Sequence, residues 1–196
     1  KRQDSHIIDL AKTVEALEKA LPVITKTVEG GKKVLFVGTK KQSKEAVRTT
    51  AESVNQPYVV ERWVGGMLTN SGTINQQIKK LKTLEKRMAT GELVKRYSKL
   101  EVQRYAEEIE ALNTRYGGIK DLMGRPGIVF VTDAIADANA IREAKVLNIP
   151  VVALVDTNVN PDGIDYVIPA NDDAIKGVQL LLDYVAEAVR EANSEK

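Results

Sequence analysis

Three short stretches of this chain carry residue types that could do chemistry. Val37-Gly38-Thr39-Lys40-Lys41 follows an apolar run and precedes a helical pattern. Its amides and lysines would therefore stand at the carboxyl edge of a sheet, where α/β proteins bind phosphates. It lacks the Gly-x-x-x-x-Gly-Lys-Ser/Thr spacing of a phosphate loop, and no Gly-x-Gly-x-x-Gly follows any strand. Three uses stay open for it: a mononucleotide site, contact of Lys40, Lys41 and Lys44 with an RNA backbone, or a solvated helix start. Asp133 and Asp156 each end a predicted strand, where Mg²⁺-dependent or phosphoacceptor chemistry wants carboxylates. Without a matching base, nucleophile or phosphate loop they read as turn residues, Asp156 running into Asn160-Pro161-Asp162-Gly163. The third stretch is Arg62-Trp63 before Gly65-Gly66. Tryptophan beside arginine offers a stacking face and a phosphate fork, although the same ring could equally anchor the core. Thr69 and Asn70 end that loop and are counted with it as RNA-binding candidates.

Other chemistry is closed off by composition. The chain has no cysteine and one histidine, His6, to which no role is assigned. Disulfides, thiolate metal sites and cysteine nucleophiles are excluded, and histidine-cluster metal sites with them. That is a small cut into enzyme space; because no catalytic constellation accompanies it, no cofactor, metal or small-molecule substrate and no enzymatic activity are expected, with a nucleotide-binding or phosphotransfer α/β enzyme as the alternative. Apolar runs such as Val151 to Val155 are strand-sized, far below the ~20 residues of a membrane helix, so no membrane partner is expected.

The elements that must hold these residues alternate along the 196 residues. Ile7-Ile8-Asp9-Leu10 reads as a weak first strand. A helix follows, with Val14, Leu17, Leu21, Ile24 and Val28 on its buried face; Pro22 should kink or divide it, and Gly30-Gly31 ends it. Strands are predicted at Lys33–Gly38, Tyr58–Val60, Ile128–Thr132, Val151–Val155 and Tyr166–Ile168. Helices are predicted from Ser43 to about Val54 and from about Asp137 to Leu147. A last one, capped by Asn171, carries Ile175, Val178, Leu182, Val185 and Val189 on one face. The fold class is α/β: a doubly wound, mostly parallel sheet of flavodoxin-like or Rossmann-like type.

One stretch breaks the rhythm. Thr73 to Tyr116 holds no strand candidate, only two helical segments joined around Ala89-Thr90-Gly91-Glu92. Ile74, Ile78, Leu81, Leu84 and Met88 on the first, and Val102, Tyr105, Ile109, Leu112 and Tyr116 on the second, give a heptad-like seam. The expected organisation is an α/β domain over 1–72 and 117–196 with an antiparallel coiled-coil hairpin inserted at 73–116. At ~1.5 Å per residue each arm would reach about 25 Å, as a docking arm would, though two ordinary packed helices are the plainer alternative. Lys79, Lys80 and Lys82 on the first arm join the RNA-binding candidates, with Glu107, Glu108 and Glu110 on the return arm balancing part of that charge.

The net charge of +2 hides a split. Residues 1–125 hold 24 Lys and Arg against 15 Asp and Glu, a net of +9; residues 126–196 hold 5 against 12, a net of −7. One region facing a polyanion and another facing solvent or a basic partner would account for it, as would ordinary surface variation.

Several ordered motifs then coincide: Val34 to Lys41, Arg62 to Asn70, Gly117 to Leu122, and Asp156-Thr157-Asn158 through Pro161-Asp162 to Ile168–Ile175. Between them, Pro126 to Pro150 places Asp133, Asp137, Ile141, Glu143 and Ile149-Pro150. In these the chain resembles, along nearly its whole length, the family of the second protein of the bacterial-type small ribosomal subunit. The resemblance implies a non-catalytic constituent that binds small-subunit rRNA and neighbouring ribosomal proteins and helps dock the large mRNA-binding protein. It implies a place in the cytoplasmic ribosome, with an organellar one as the alternative. It also implies a further segment, rich in Gly, His, Arg and aromatic residues, before Ile7. The chain opens at Lys1 without it, so truncation is expected.

Overall fold

A computed structural model describes residues 10–156, 161–171 and 173–194. Five strands form one sheet: β1 (Val34–Val37), β2 (Tyr58–Val59), β3 (Ile128–Val131), β4 (Val151–Val155) and β5 (Tyr166–Pro169). Their order is β2-β1-β3-β4-β5 and every pairing is parallel, with Phe36 beside both Tyr58 and Phe130 in register. This is the flavodoxin-like order, with its topological switch between β1 and β3.

Uninterrupted apolar strands are what a sheet covered on both faces requires, because alternate side chains enter different cores. Val34, Phe36, Ile128, Phe130, Val152 and Leu154 join one cluster with Leu17, Ile24, Val47, Leu182, Val185 and Val189. Those partners come from α1 (Leu10–Glu29), α2 (Lys44–Ser53) and α7 (Ile175–Ser194). Phe36 and Phe130 meet tilted, 5.7 Å between ring centroids. Leu35, Val37, Val129, Val131, Val151 and Ala153 face the other way. They pack with Ala140, Ile141 and Ala144 of α6 (Ala138–Val146).

The second core also receives the inserted stretch. It consists of α3 (Ser71–Ala89), a short α4 (Glu92–Arg96) and α5 (Lys99–Tyr116). Ile74, Leu81 and Leu84 of α3 and Leu112 and Tyr116 of α5 lie in the same cluster as the strand residues. This stretch therefore packs over one face of the sheet. Its connection differs from expectation: instead of a direct turn at Ala89–Glu92, a third helix buries Leu93 completely before Ser98 starts α5. Ser98 and Glu101 form a reciprocal capping box, a Ser-x-x-Glu signal that the heptad pattern by itself does not reveal.

Three further expectations are corrected, and a fourth lies mostly outside the described residues. Of the expected strand Ile7–Leu10, only Leu10 lies within the described residues, and it opens α1. Pro22 does not divide α1, which runs unbroken through it. Pro22 is exposed, while Ala20, Ile24 and Val28 are buried around it; such burial, at about 1.5–3 kcal/mol per large apolar side chain, offsets the ~3 kcal/mol proline cost. Val14 is 54% exposed and Thr13 takes its place on the buried face, donating to the Pro169 carbonyl at 2.5 Å. Asn171 is not the cap of α7: its Oδ1 accepts from the Asp173 amide at 2.9 Å, four residues before the helix opens at an exposed Ile175.

Candidate nucleic-acid interface

The switch between β1 and β3 places the first candidate loop where ligands of this sheet order bind, outside the carboxyl ends of the strands. Only glycine fits at position 38, since a Cβ there would stand 2.6 Å from both Thr132 Oγ1 and Val47 Cγ2. The chain then turns so that the Thr39 amide and hydroxyl donate to the Asp137 carboxylate at 3.2 and 2.7 Å. Lys40 Nζ pairs with Asp133 at 3.2 Å and with Asp173 at 2.7 Å. The other Asp133 oxygen accepts from the amides of Ile135 and Ala136, at 2.8 and 2.9 Å.

This crevice is occupied by the chain's own groups. The Thr39 amide and hydroxyl and the Lys40 ammonium are spent on carboxylates, and Asp137 is fully buried. Burial above all, with a lesser push from the charge of Asp133, raises its carboxyl to about 6 against the Thr39 hydrogen bonds. For Asp133 burial also pushes upward, but the two amides and Lys40 outweigh it and hold the carboxyl below its ordinary value. Asp133 does meet the Gly38–Lys41 loop, yet as the partner of its lysine. Asp156 stands half-buried just past β4. No group of His, Asp and Glu able to hold a metal occurs among the described residues.

The second loop is organised by a residue that sequence reasoning placed in a motif without giving it a task. Glu143 of α6 accepts from Trp63 Nε1 at 3.0 Å and the Gly66 amide at 2.7 Å through one oxygen. Its other oxygen accepts from the Leu68 amide at 3.0 Å and from the Thr69 amide and hydroxyl, both at 3.1 Å. Gly66, at φ +88°, supplies the left-handed turn that aims these donors inward. Burial raises the Glu143 carboxyl, but the indole and the three amides outweigh burial and hold it below the usual carboxylate range. Trp63 is only 8% exposed, in the core, so its ring presents no open stacking face; it is a core anchor. Arg62 is exposed. Asn70 is exposed at the start of α3, its Oδ1 accepting from the Thr73 hydroxyl at 3.1 Å.

The predicted lysines separate by environment. Lys44 pairs with Glu61 at 2.7 Å, which ties α2 to the Trp63 loop. Lys80 pairs with Glu108 across α3 and α5, and Lys82 with Asp121 at 2.9 Å. Lys80 and Lys82 are each 51% exposed, and exposed pairs are worth only about 0.2–1 kcal/mol, so a phosphate could replace either carboxylate at little cost. Lys40, 21% exposed between two carboxylates, is far harder to divert. Lys41 and Lys79 are exposed and make no ion pair among the described residues. Lys79, Lys80 and Arg87 line one groove of about 530 Å³ between α3 and α5.

Fold and site together define a class: a doubly wound α/β module whose switch-point crevice is closed by its own carboxylates and whose open cations lie on surface helices and loops. The family model for ribosomal protein S2 matches residues 1–192. The chain is 46% identical over 194 residues to small ribosomal subunit protein uS2 of Treponema pallidum strain Nichols, which covers 99% of this chain and 66% of that relative. It is 47% identical over 191 residues to uS2 of Tolumonas auensis (97% and 78% covered) and 45% over 195 to that of Roseiflexus castenholzii (100% and 74%). The chain belongs to the ribosomal protein S2 family. It spans just under two thirds of the Treponema relative's length.

Proposed function

We propose that this chain is a structural constituent of the small ribosomal subunit and not an enzyme. It binds small-subunit rRNA and neighbouring ribosomal proteins and helps dock the large mRNA-binding protein, with residues 73–116 acting as a docking arm. The observation that carries the reading is the family match over residues 1–192. The charge split supports the RNA side of it, with +9 over residues 1–125 and −7 over 126–196. RNA contact falls to Lys41, Lys79, Lys80, Lys82 and Arg62, whose cations are exposed, before Lys40 and Lys44, with exposed Thr69 and Asn70 at the start of α3 as further contacts. Phosphate contacts and folded shape outweigh base-edge readout.

Sedimentation of the tagged protein from lysate tests this. Comigration with small subunits and release at high salt is expected. If about five phosphates are contacted, log affinity for small-subunit RNA falls against log salt with a slope of roughly −4. Salt-independent association, or substrate turnover by the purified chain, would remove the reading.

A further inference from the structure

On the face opposite the hairpin core, α1 and α7 pack side by side through Leu17, Ala20, Ile24, Leu182, Val185 and Val189. Outside that seam a groove of about 690 Å³ stays open between the two helices, with Leu21, Pro22 and Tyr184 among its apolar lining. Tyr184 is 51% exposed, and Leu180, one turn earlier on α7, is 56% exposed. Neither side chain belongs to a core, although the remaining apolar positions of α7 are mostly buried.

The same groove is strongly anionic. Glu18 and Glu29 line it from α1 and Glu187 and Glu191 from α7, against Lys26 as the one cation of its lining among the described residues. Of these carboxylates only Glu187 forms an ion pair among the described residues, with Arg190 at 3.1 Å. The groove lies partly within the segment of net −7. An RNA backbone would be repelled by such a surface, and apolar groups beside uncompensated carboxylates favour an occupant that is itself apolar on one side but carries the opposite charge.

We propose that the α1–α7 groove docks a Lys/Arg-rich protein segment that carries apolar residues on one side. The apolar side covers Leu180 and Tyr184, and the cations engage Glu18, Glu29 and Glu191. This is helix-in-groove recognition with the charge supplied by the rim. The proposal stands apart from the ribosomal reading, because it uses the groove alone and is tested on the isolated chain.

The probe is a fluorescein-labelled peptide of Lys and Leu at helical spacing, followed by anisotropy. Saturable binding is expected, and none for a Glu/Leu peptide of the same pattern. E18K/E191K should weaken binding at least about tenfold and Y184A several-fold. The reversal E107K/E110K, an equal charge change on α5, should alter it less than about twofold. Melts monitored by circular dichroism check folding, and E18Q/E191Q replaces the reversal if that variant unfolds. Equal losses from the α1–α7 and α5 reversals would reduce the effect to net charge and overturn the proposal. So would absent binding, preference for an RNA oligonucleotide at this face, or self-association abolished by Y184A.

Discussion

Glu143 shows how much one side chain can organise: five donors from four residues of a distant loop converge on its two oxygens. Removing the carboxylate strands an indole N–H and several amides. Glu143→Ala should therefore cost roughly 3 kcal/mol in chemical denaturation, with Glu143→Gln in between. Because Trp63 is the only tryptophan, its emission should shift to the red in the Ala variant as the indole meets water. Unchanged stability and emission would mean that the loop holds itself. Asp137 gives a second residue-scale prediction. Its carboxyl is raised from 3.8 to about 6, so the folded state binds that proton more tightly than the unfolded chain does. Its contribution then declines as pH climbs from about 4 through 6, by roughly 3 kcal/mol at most. Asp133 and Glu143 are held low and run oppositely, losing stability as pH falls. Subtracting melts of Asp137→Asn from wild type isolates the one group. The difference should move against the wild type between pH 4 and 7, and a flat difference would contradict the burial argument.

Among the elements, α5 depends on a local device. Ser98 accepts from the Glu101 amide, and the Glu101 carboxylate accepts from the Ser98 amide and hydroxyl. Ser98→Ala should lose about 0.5–2 kcal/mol. Hydrogen exchange should show that loss as faster opening of the first turn of α5, where packing is thin. The far end should change little, because Leu112 and Tyr116 are buried in the second core. Uniform opening along α5 would mean that the helix responds as a unit. The same contrast explains α1, where a buried face on both sides of Pro22 keeps a helix continuous that local propensity alone would break.

At the scale of the whole molecule, charge is unevenly spread along the chain, +9 over residues 1–125 and −7 over 126–196. Exposed lysines stand on α3 and after β1, while carboxylates line the α1–α7 groove. Reversal of Lys79, Lys80 and Lys82 to Glu should weaken association with small-subunit RNA and flatten its salt slope by about one unit for each phosphate no longer neutralised. Lys40→Glu should act differently. It places a third carboxylate beside Asp133 and Asp173, so the melting temperature should fall before RNA affinity does. Equal behaviour of the two variants in filter binding and melting would erase the distinction between surface and crevice cations.

The sheet was legible because a strand covered on both faces must be apolar at every position, and four of the five runs are. The alternation of helices between them then left one fold class, and the lopsided charge and absence of cysteine were visible without any fold. Helix faces were read to within one residue: Thr13 displaced Val14, and Ile175 turned outward, because rotation about a helix axis is set by its neighbours. Glu143 reaches partners 74 to 80 residues away, and Lys40 reaches Asp133 and Asp173 on separate elements. Sequence by itself therefore determined most of the elements, the short α4 excepted, and how charge is distributed along the chain. Only the tertiary structure decided which polar groups satisfy one another, because that pairing depends on distances created when remote segments close over the sheet, and no local pattern encodes them.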